Sequence, residues 1–251
     1  PSRTVLFTGP PGVGKSLAAR WLAREIRVPL LTLDLSAVMS SFLGRTGNNV
    51  RQVMEYAKGL DCVLLLDELD AIAKRRDDAT EVGELKRLVT VLLQEIDGWP
   101  PGGLIVAATN HPTLLDPAVW RRFEKRLEFP LPDDDTLRRA IRAHMDEDAE
   151  WAAKWSEVLV VAFRGLSFSD IERLITSAWR ASVITDSPIQ SQLARIVQER
   201  IATLAHSDRA EIATHLVASE QLSQREAYEL TGISRDTIRK NLRSSGERKR
   251  G

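Results

Sequence analysis

The chain has 251 residues, 43% of them apolar and 28% charged, with 35 acidic side chains against 35 basic ones. Such a composition describes a protein that folds around a core of its own, and its even charge gives no whole-chain argument for a polyanionic partner. A single cysteine, Cys62, excludes an internal disulfide framework and fits a reducing compartment, while no stretch reaches the roughly 18 apolar residues of a membrane span.

The sequence starts at Pro1, and an apolar run begins almost at once with no basic-then-apolar leader before it. We expect further sequence upstream and a cytoplasmic location. In chain order, strands are predicted at Val5-Leu6-Phe7, Leu30-Leu31-Thr32-Leu33, Val63-Leu64-Leu65-Leu66, Leu104-Ile105-Val106-Ala107-Ala108 and Leu127-Glu128-Phe129. The first four are nearly continuous apolar runs, as in parallel strands covered on both faces. Helical periodicity fills the intervals at residues 15–26, 49–58 and 81–96. Alternating β and α units predict an α/β fold, a parallel sheet flanked by helices. Pro130 and Pro132 close this region. Beyond them the pattern is helical, at residues 134–145, 148–163, 168–184 and 189–205, with Ser167 and Asp170 forming a capping box for the third and Ser187-Pro188 breaking the chain before the fourth.

Two motifs carry chemistry. Gly9-Pro10-Pro11-Gly12-Val13-Gly14-Lys15-Ser16, followed by Leu17, fits the phosphate-loop pattern G-x-x-x-x-G-K-[ST] and stands where it should, after a strand and at the start of a helix. Its glycines permit a tight turn whose N–H groups converge on phosphate oxygens, and the helix N-terminus adds to that field. Lys15 is expected to reach the β and γ phosphates of ATP, and the Ser16 hydroxyl to ligate Mg2+. The second motif is the apolar run 63–66 ending in Asp67-Glu68. A strand's C-terminal end is where open α/β sheets bind ligands. Asp67 is expected to hold Mg2+, directly or through water, and Glu68 to orient and polarise the attacking water. Asn110 ends another apolar run. Its amide can help fix that water, or can simply cap the turn.

Residues 4–184 resemble the AAA-type members of the AAA+ ATPases, in the pattern of spastin, katanin and Vps4. The resemblance implies a P-loop NTPase core, an all-helical lid and ATP hydrolysis in a ring, a hexamer in many relatives. Ala108-Thr109-Asn110 is similar to the family's polar sensor, which implies that Asn110 lies near the γ-phosphate. Leu115-Asp116-Pro117-Ala118-Val119-Trp120-Arg121-Arg122-Phe123 resembles the arginine-finger block, implying that Arg121 and Arg122 reach the ATP of a neighbouring subunit. Ser41-Phe42-Leu43-Gly44 is similar to the loop that lines the central pore, so Phe42, Leu43 and Gly44 are expected to grip a polypeptide. Arg45 stands where relatives are often acidic. Residues 77–83 are a candidate second pore loop, and Asp97-Gly98-Trp99 resembles the block that signals between subunits. The lid helix is expected to begin at Gly165-Leu166-Ser167-Phe168, although relatives carry a small residue at the Phe168 position.

Residues 222–242 lie beyond that resemblance. Ser223 and Glu226 form a capping box, Gly232 ends a helix and Ser234 starts the next, which is helix–turn–helix spacing. The segment resembles the helix–turn–helix of Fis-type DNA-binding domains. From Thr231 to the end there are seven basic and two acidic residues, the local charge that DNA binding needs. The resemblance implies Arg235, Thr237 and Arg239 in the major groove and Lys240 and Arg243 on phosphates. The alternative is a helical module that docks on the ATPase or on a partner protein. The four histidines show no ligand spacing. The expected organisation is therefore a nucleotide-binding subdomain over 1–132, a helical lid over 133–206, a helix–turn–helix over 207–245 and a charged tail over 246–251. The expected partners are other copies of the chain, a polypeptide substrate and DNA, with no membrane. The function expected is ATP-driven remodelling of protein, with a DNA-transaction ATPase as the alternative.

Overall fold

The structure, a computed structural model, describes residues 3–41, 46–72, 79–145 and 150–248. It divides into two compact units, Pro1–Pro130 and Leu131–Gly251.

The first unit is built on five parallel strands: β1 (Thr4–Thr8), β2 (Leu30–Asp34), β3 (Val63–Asp67), β4 (Leu104–Thr109) and β5 (Lys125–Glu128), arranged β2-β3-β4-β1-β5. The near-continuous apolar runs are explained by coverage on both faces. From the strands, Leu6, Leu64, Leu66, Ile105 and Ala107 point into one core, where they meet α3 (Thr46–Lys58) through Val50 and Met54 and α4 (Ala79–Asp97) through Leu88 and Leu92. Val5, Phe7, Val63, Leu65, Val106 and Ala108 point to the other face, onto Ala19 and Ala23 of α1 (Lys15–Glu25). Each large aliphatic side chain so buried contributes roughly 1.5–3 kcal/mol. Cys62 sits just before β3, buried, its thiol donating to the Ala57 carbonyl at 3.4 Å, and burial pushes its pKa up.

Two elements depart from the sequence expectation. A helix, α2 (Leu35–Ser41), follows β2 with no breaker between them; the Asp34 carboxylate accepts from the Ala37 N–H at 3.0 Å and so supports its first turn. The last strand lies at residues 125–128 rather than 127–129, and all four of its residues are exposed. It is an edge strand placed by pairing with β1, Val5 opposite Lys125 through Thr8 opposite Glu128. The short helix α5 (Pro117–Trp120), capped by Asp116 and started by Pro117, precedes it.

The second unit is helical: α6 (Asp134–Ala143), α7 (Glu150–Ala162), α8 (Phe168–Thr185), α9 (Ile189–Ile201), α10 (His206–Ala218), α11 (Gln224–Thr231) and α12 (Arg235–Arg248). Its main core joins Leu137 and Ile141, Val158 and Leu159, Ile171 and Ile175, Leu193 and Val197, and from α10 Ile212 and Leu216. A smaller core gathers Ala210 and Ala213 of α10 with Ala227, Ile233 and Ile238. Helix α10 therefore packs into both. At its start a part-exposed arginine, Arg164, ties three elements together, pairing with Asp134 at 2.6 Å, Asp208 at 2.8 Å and Glu211 at 2.7 Å. These pairs hold the Asp134 carboxyl below the usual carboxylate range and raise the Arg164 guanidinium further. Among the described residues no helix is long and apolar enough to cross a membrane.

Candidate active site

Because β3, β4 and β1 are neighbours and all point the same way, the segments leaving their C-terminal ends converge. Those segments are Asp67-Glu68, Asn110 and the loop 9–16. In that loop Gly9, Gly12 and Gly14 have positive φ. Gly9 cannot be replaced for a second reason: a Cβ there would lie 2.1 Å from the Phe129 carbonyl oxygen. Gly14 is the N-cap of α1 and offers no side-chain acceptor, which leaves the first N–H groups of the helix for an external anion. Val13 is buried and anchors the loop, whereas Pro11, Ser16 and Leu17 are exposed and Pro10 is half-buried.

Lys15 is the centre of the site. Its ammonium is buried and donates to the Gly9 carbonyl at 2.7 Å, the Pro10 carbonyl at 2.8 Å and the Asn110 Oδ1 at 2.7 Å. Burial lowers its pKa from the ordinary lysine value, and the Asp67 and Asp70 carboxylates act against that. Beside it the Ser16 hydroxyl donates to Asp67 Oδ2 at 2.8 Å. A hydroxyl and a carboxylate at the mouth of a phosphate loop are the hard oxygen donors that suit Mg2+, so these residues fit both a nucleotide triphosphate and its metal.

Glu68 is exposed and sits at φ 55, a left-handed conformation that costs a non-glycine residue of order 1 kcal/mol. Its N–H donates to Asp67 Oδ1 at 3.0 Å, and its carbonyl accepts from the Ala71 N–H at 2.8 Å. The structure thus brings together Lys15, Ser16, Asp67 and Asn110 by direct hydrogen bonds and leaves the Glu68 side chain turned to solvent next to them. Asp70, to which the sequence reading gave no role of its own, is 3% exposed and bonded to the segment that carries Asn110. Its signal in the sequence was its place at the end of the block 64–70, which resembles the family's acidic Mg2+ and water block.

The remaining candidates lie elsewhere. Arg121 is exposed at the end of α5, and Arg122 pairs with Asp97 at 3.0 Å, both side chains being about half exposed. Phe42, Leu43 and Gly44 lie outside the described residues, as does part of the second candidate loop. In the second unit α11 and α12 are joined by the short turn 232–234. The Ser223 capping box is present, Gly232 takes φ 71 at the turn, and Ser234 accepts from the Thr237 N–H at 3.2 Å to start α12. Thr231 is buried in this turn, yet satisfied: its hydroxyl donates to the Ala227 carbonyl at 2.6 Å and accepts from the Ile233 N–H at 3.3 Å. Arg235, Arg239, Lys240 and Arg243 are exposed on α12, with Thr237 half-buried and Arg239 near Asp236 at 3.4 Å.

Comparison with known proteins shows the family. The model of the ATPase family associated with various cellular activities (AAA) matches residues 5–131, about half of the chain. An AAA family ATPase, y4kL, of Sinorhizobium fredii is 38% identical over 214 residues, covering 82% of this chain and 60% of that protein. A proteasome-activating nucleotidase of Methanococcus vannielii is 35% identical over 71% of this chain and 45% of its own length. An ATP-dependent zinc metalloprotease, FtsH 3, of Sphaerobacter thermophilus is 31% identical over 85% of this chain and 46% of its own. The chain spans about half the length of these relatives. With a phosphate loop, an acidic strand end and a polar residue assembled on a parallel sheet, and with these matches, the chain belongs to the AAA family of ATPases.

Proposed function

We propose that this chain is the ATP-hydrolysing engine of a homo-oligomeric ring, a hexamer in the first instance, that remodels or threads a polypeptide. The observation that carries the reading is the cluster in which Lys15 meets Asn110 and Ser16 meets Asp67 at one end of the sheet.

In this reading the N–H groups of residues 12–16 and the Lys15 ammonium bind the phosphates, exchanging the neutral oxygens of Gly9, Pro10 and Asn110 for charged ones, which make stronger acceptors. Ser16 and Asp67 would hold Mg2+, which neutralises phosphate charge when bound. Glu68 orients a water and takes its proton as the water oxygen bonds to the γ-phosphorus and the bond to the bridging oxygen breaks, giving ADP and phosphate. Asn110 positions that water or the γ-phosphate. Arg121 and Arg122 of one copy stabilise the charge developing at the site of the next. Arg122 is presented with its guanidinium held at Asp97, so engagement requires it to change partner. Phe42, Leu43 and Gly44 grip the substrate, in the spirit of the relatives whose names tie them to proteasomes and proteolysis.

The exposed basic face of α12 favours a second component, in which the helix–turn–helix localises the ring on DNA through Arg235, Thr237, Arg239, Lys240 and Arg243. Phosphate release measured with unfolded protein and with duplex DNA separates the two. We expect unfolded protein to stimulate turnover and Phe42→Ala to abolish the stimulation. Stimulation by DNA alone, with Phe42→Ala unchanged, overturns the remodelling reading in favour of a DNA-transaction ATPase.

A further inference from the structure

The hydrogen-bond ladder between β3 and β4 ends at Leu66 opposite Ala107. The groups that matter for the site lie just past it: Asp67 and Glu68 on one side, Thr109 and Asn110 on the other. One carboxylate spans that gap. Asp70, on the 3-10 turn Leu69–Ile72, accepts through Oδ1 from the Thr109 hydroxyl at 3.1 Å and from the Asn110 backbone N–H at 3.2 Å. Thr109 Oγ1 in turn accepts from the His111 N–H at 3.1 Å, fixing the chain on the far side of Asn110. The same 3-10 turn closes on Glu68, whose carbonyl takes the Ala71 N–H. A residue held at φ 55 relaxes unless its surroundings over-determine it, and on its C-terminal side it is followed by Leu69, buried in the core, and by the buried, hydrogen-bonded Asp70. Burying a carboxylate to tie two strand ends is an expensive way to stabilise a fold, since a neutral residue of similar size would fold as well or better.

We propose that Asp70 is a positioning residue for hydrolysis: it locks the backbone of Asn110 to the turn that carries Glu68, so that the amide and the water-activating carboxylate keep a fixed register. This rests on the roles given to Glu68 and Asn110 above. It says nothing about nucleotide binding, which depends on the loop 9–16.

The test uses the whole chain with Asp70→Ala, Asp70→Asn and Thr109→Val, measuring kcat and KM for ATP, affinity for a fluorescent ADP analogue and the melting temperature. Misplacement of a group near the chemistry costs up to about 100-fold, so Asp70→Ala is expected to lose at least about tenfold in kcat. Its KM and ADP affinity are expected to stay within about twofold, since uniform binding is untouched. Asp70→Asn keeps an oxygen for both donors and is expected to recover most of the rate. Thr109→Val, which removes the hydroxyl's bond to Asp70 and its bond from the His111 N–H while keeping the buried volume, is expected to fall between and serves if Asp70→Ala does not fold. Loss of ADP affinity in step with kcat, or an Asp70→Asn no better than Asp70→Ala, overturns the proposal. Glu68→Gln and Asn110→Ala run alongside: if these two turn over normally, the reading of the site fails; if they fail and Asp70→Ala and Thr109→Val are normal, only the inference about Asp70 fails.

Discussion

Lys15 Nζ and Asn110 Oδ1 lie 2.7 Å apart, joining the phosphate loop after β1 to the end of β4. The two residues do different work in the account. Lys15→Ala is expected to weaken ATP and ADP binding by at least about tenfold, because a charged hydrogen-bond donor is removed from a buried site. Asn110→Ala is expected to leave ADP affinity nearly unchanged and to lower kcat by about 10–100-fold, as for other polar groups that act on the reacting centre. Titration with a fluorescent nucleotide, followed by turnover on the same samples, checks both.

In the proposed mechanism Glu68 takes the proton from water, so Glu68→Gln is expected to bind ATP and to hydrolyse it about 100-fold or more slowly, the range for a lost general base. Rapid binding with no phosphate release is the expected readout. Asp67→Asn differs, because it weakens the acidic partner of Ser16; its defect is expected to shrink as Mg2+ concentration rises, whereas that of Glu68→Gln is not.

The Lys15 pKa sets an alkaline limit on binding. Burial lowers it, so in the free protein the ammonium is lost at a lower pH than the ordinary value of about 10.4. A base whose folded pKa is depressed is neutralised early as pH rises, and the phosphates then lose their cation. Nucleotide affinity is expected to decline on raising the pH from neutrality, before free lysine titrates. Constant affinity up to that value contradicts the burial argument.

The second unit offers a test of its own stability. Arg164→Ala removes the shared partner of Asp134, Asp208 and Glu211, and is expected to cost about 1–2 kcal/mol, the cluster being part-exposed. Asp134 has a lowered pKa in the folded chain. Its contribution is therefore present above the unfolded aspartate value of about 3.9 and lost as pH falls through the folded value; the variant is expected to show a shallower acid limb. Ser223→Ala, which breaks the capping box of α11, is expected to cost about 1 kcal/mol. Thermal melts at several pH values check all three statements.

How far the sequence led can be judged residue by residue. β3 was readable because both its faces are covered: Val63 to Leu66 are apolar without a break, and the first charge, Asp67, marks the strand's end. The phosphate loop was readable because its glycines and Lys15 are a local pattern. β5 was misplaced by two residues, because an exposed edge strand such as Lys125–Glu128 owes its position to β1 rather than to its own hydrophobicity. α2 was missed because nothing breaks the chain between Asp34 and Leu35. The pairing of Arg122 with Asp97 and of Asp70 with Asn110 joins residues 25 and 40 positions apart, and no local pattern encodes it. Thr231 can be buried because its hydroxyl is satisfied within its own turn, by the Ala227 carbonyl and the Ile233 N–H, which its residue type alone does not reveal.

In the proposed ring each active site is shared between two copies of the chain. The most direct test of that sharing mixes two inactive variants, Glu68→Gln and the double variant Arg121→Ala with Arg122→Ala, and measures phosphate release against protein concentration. One supplies intact arginines and the other an intact base, so mixed oligomers are predicted to regain activity that neither has alone, and to lose it on dilution. No recovery at any ratio, together with a wild-type rate per chain that does not change with concentration, would contradict a site completed by a neighbour.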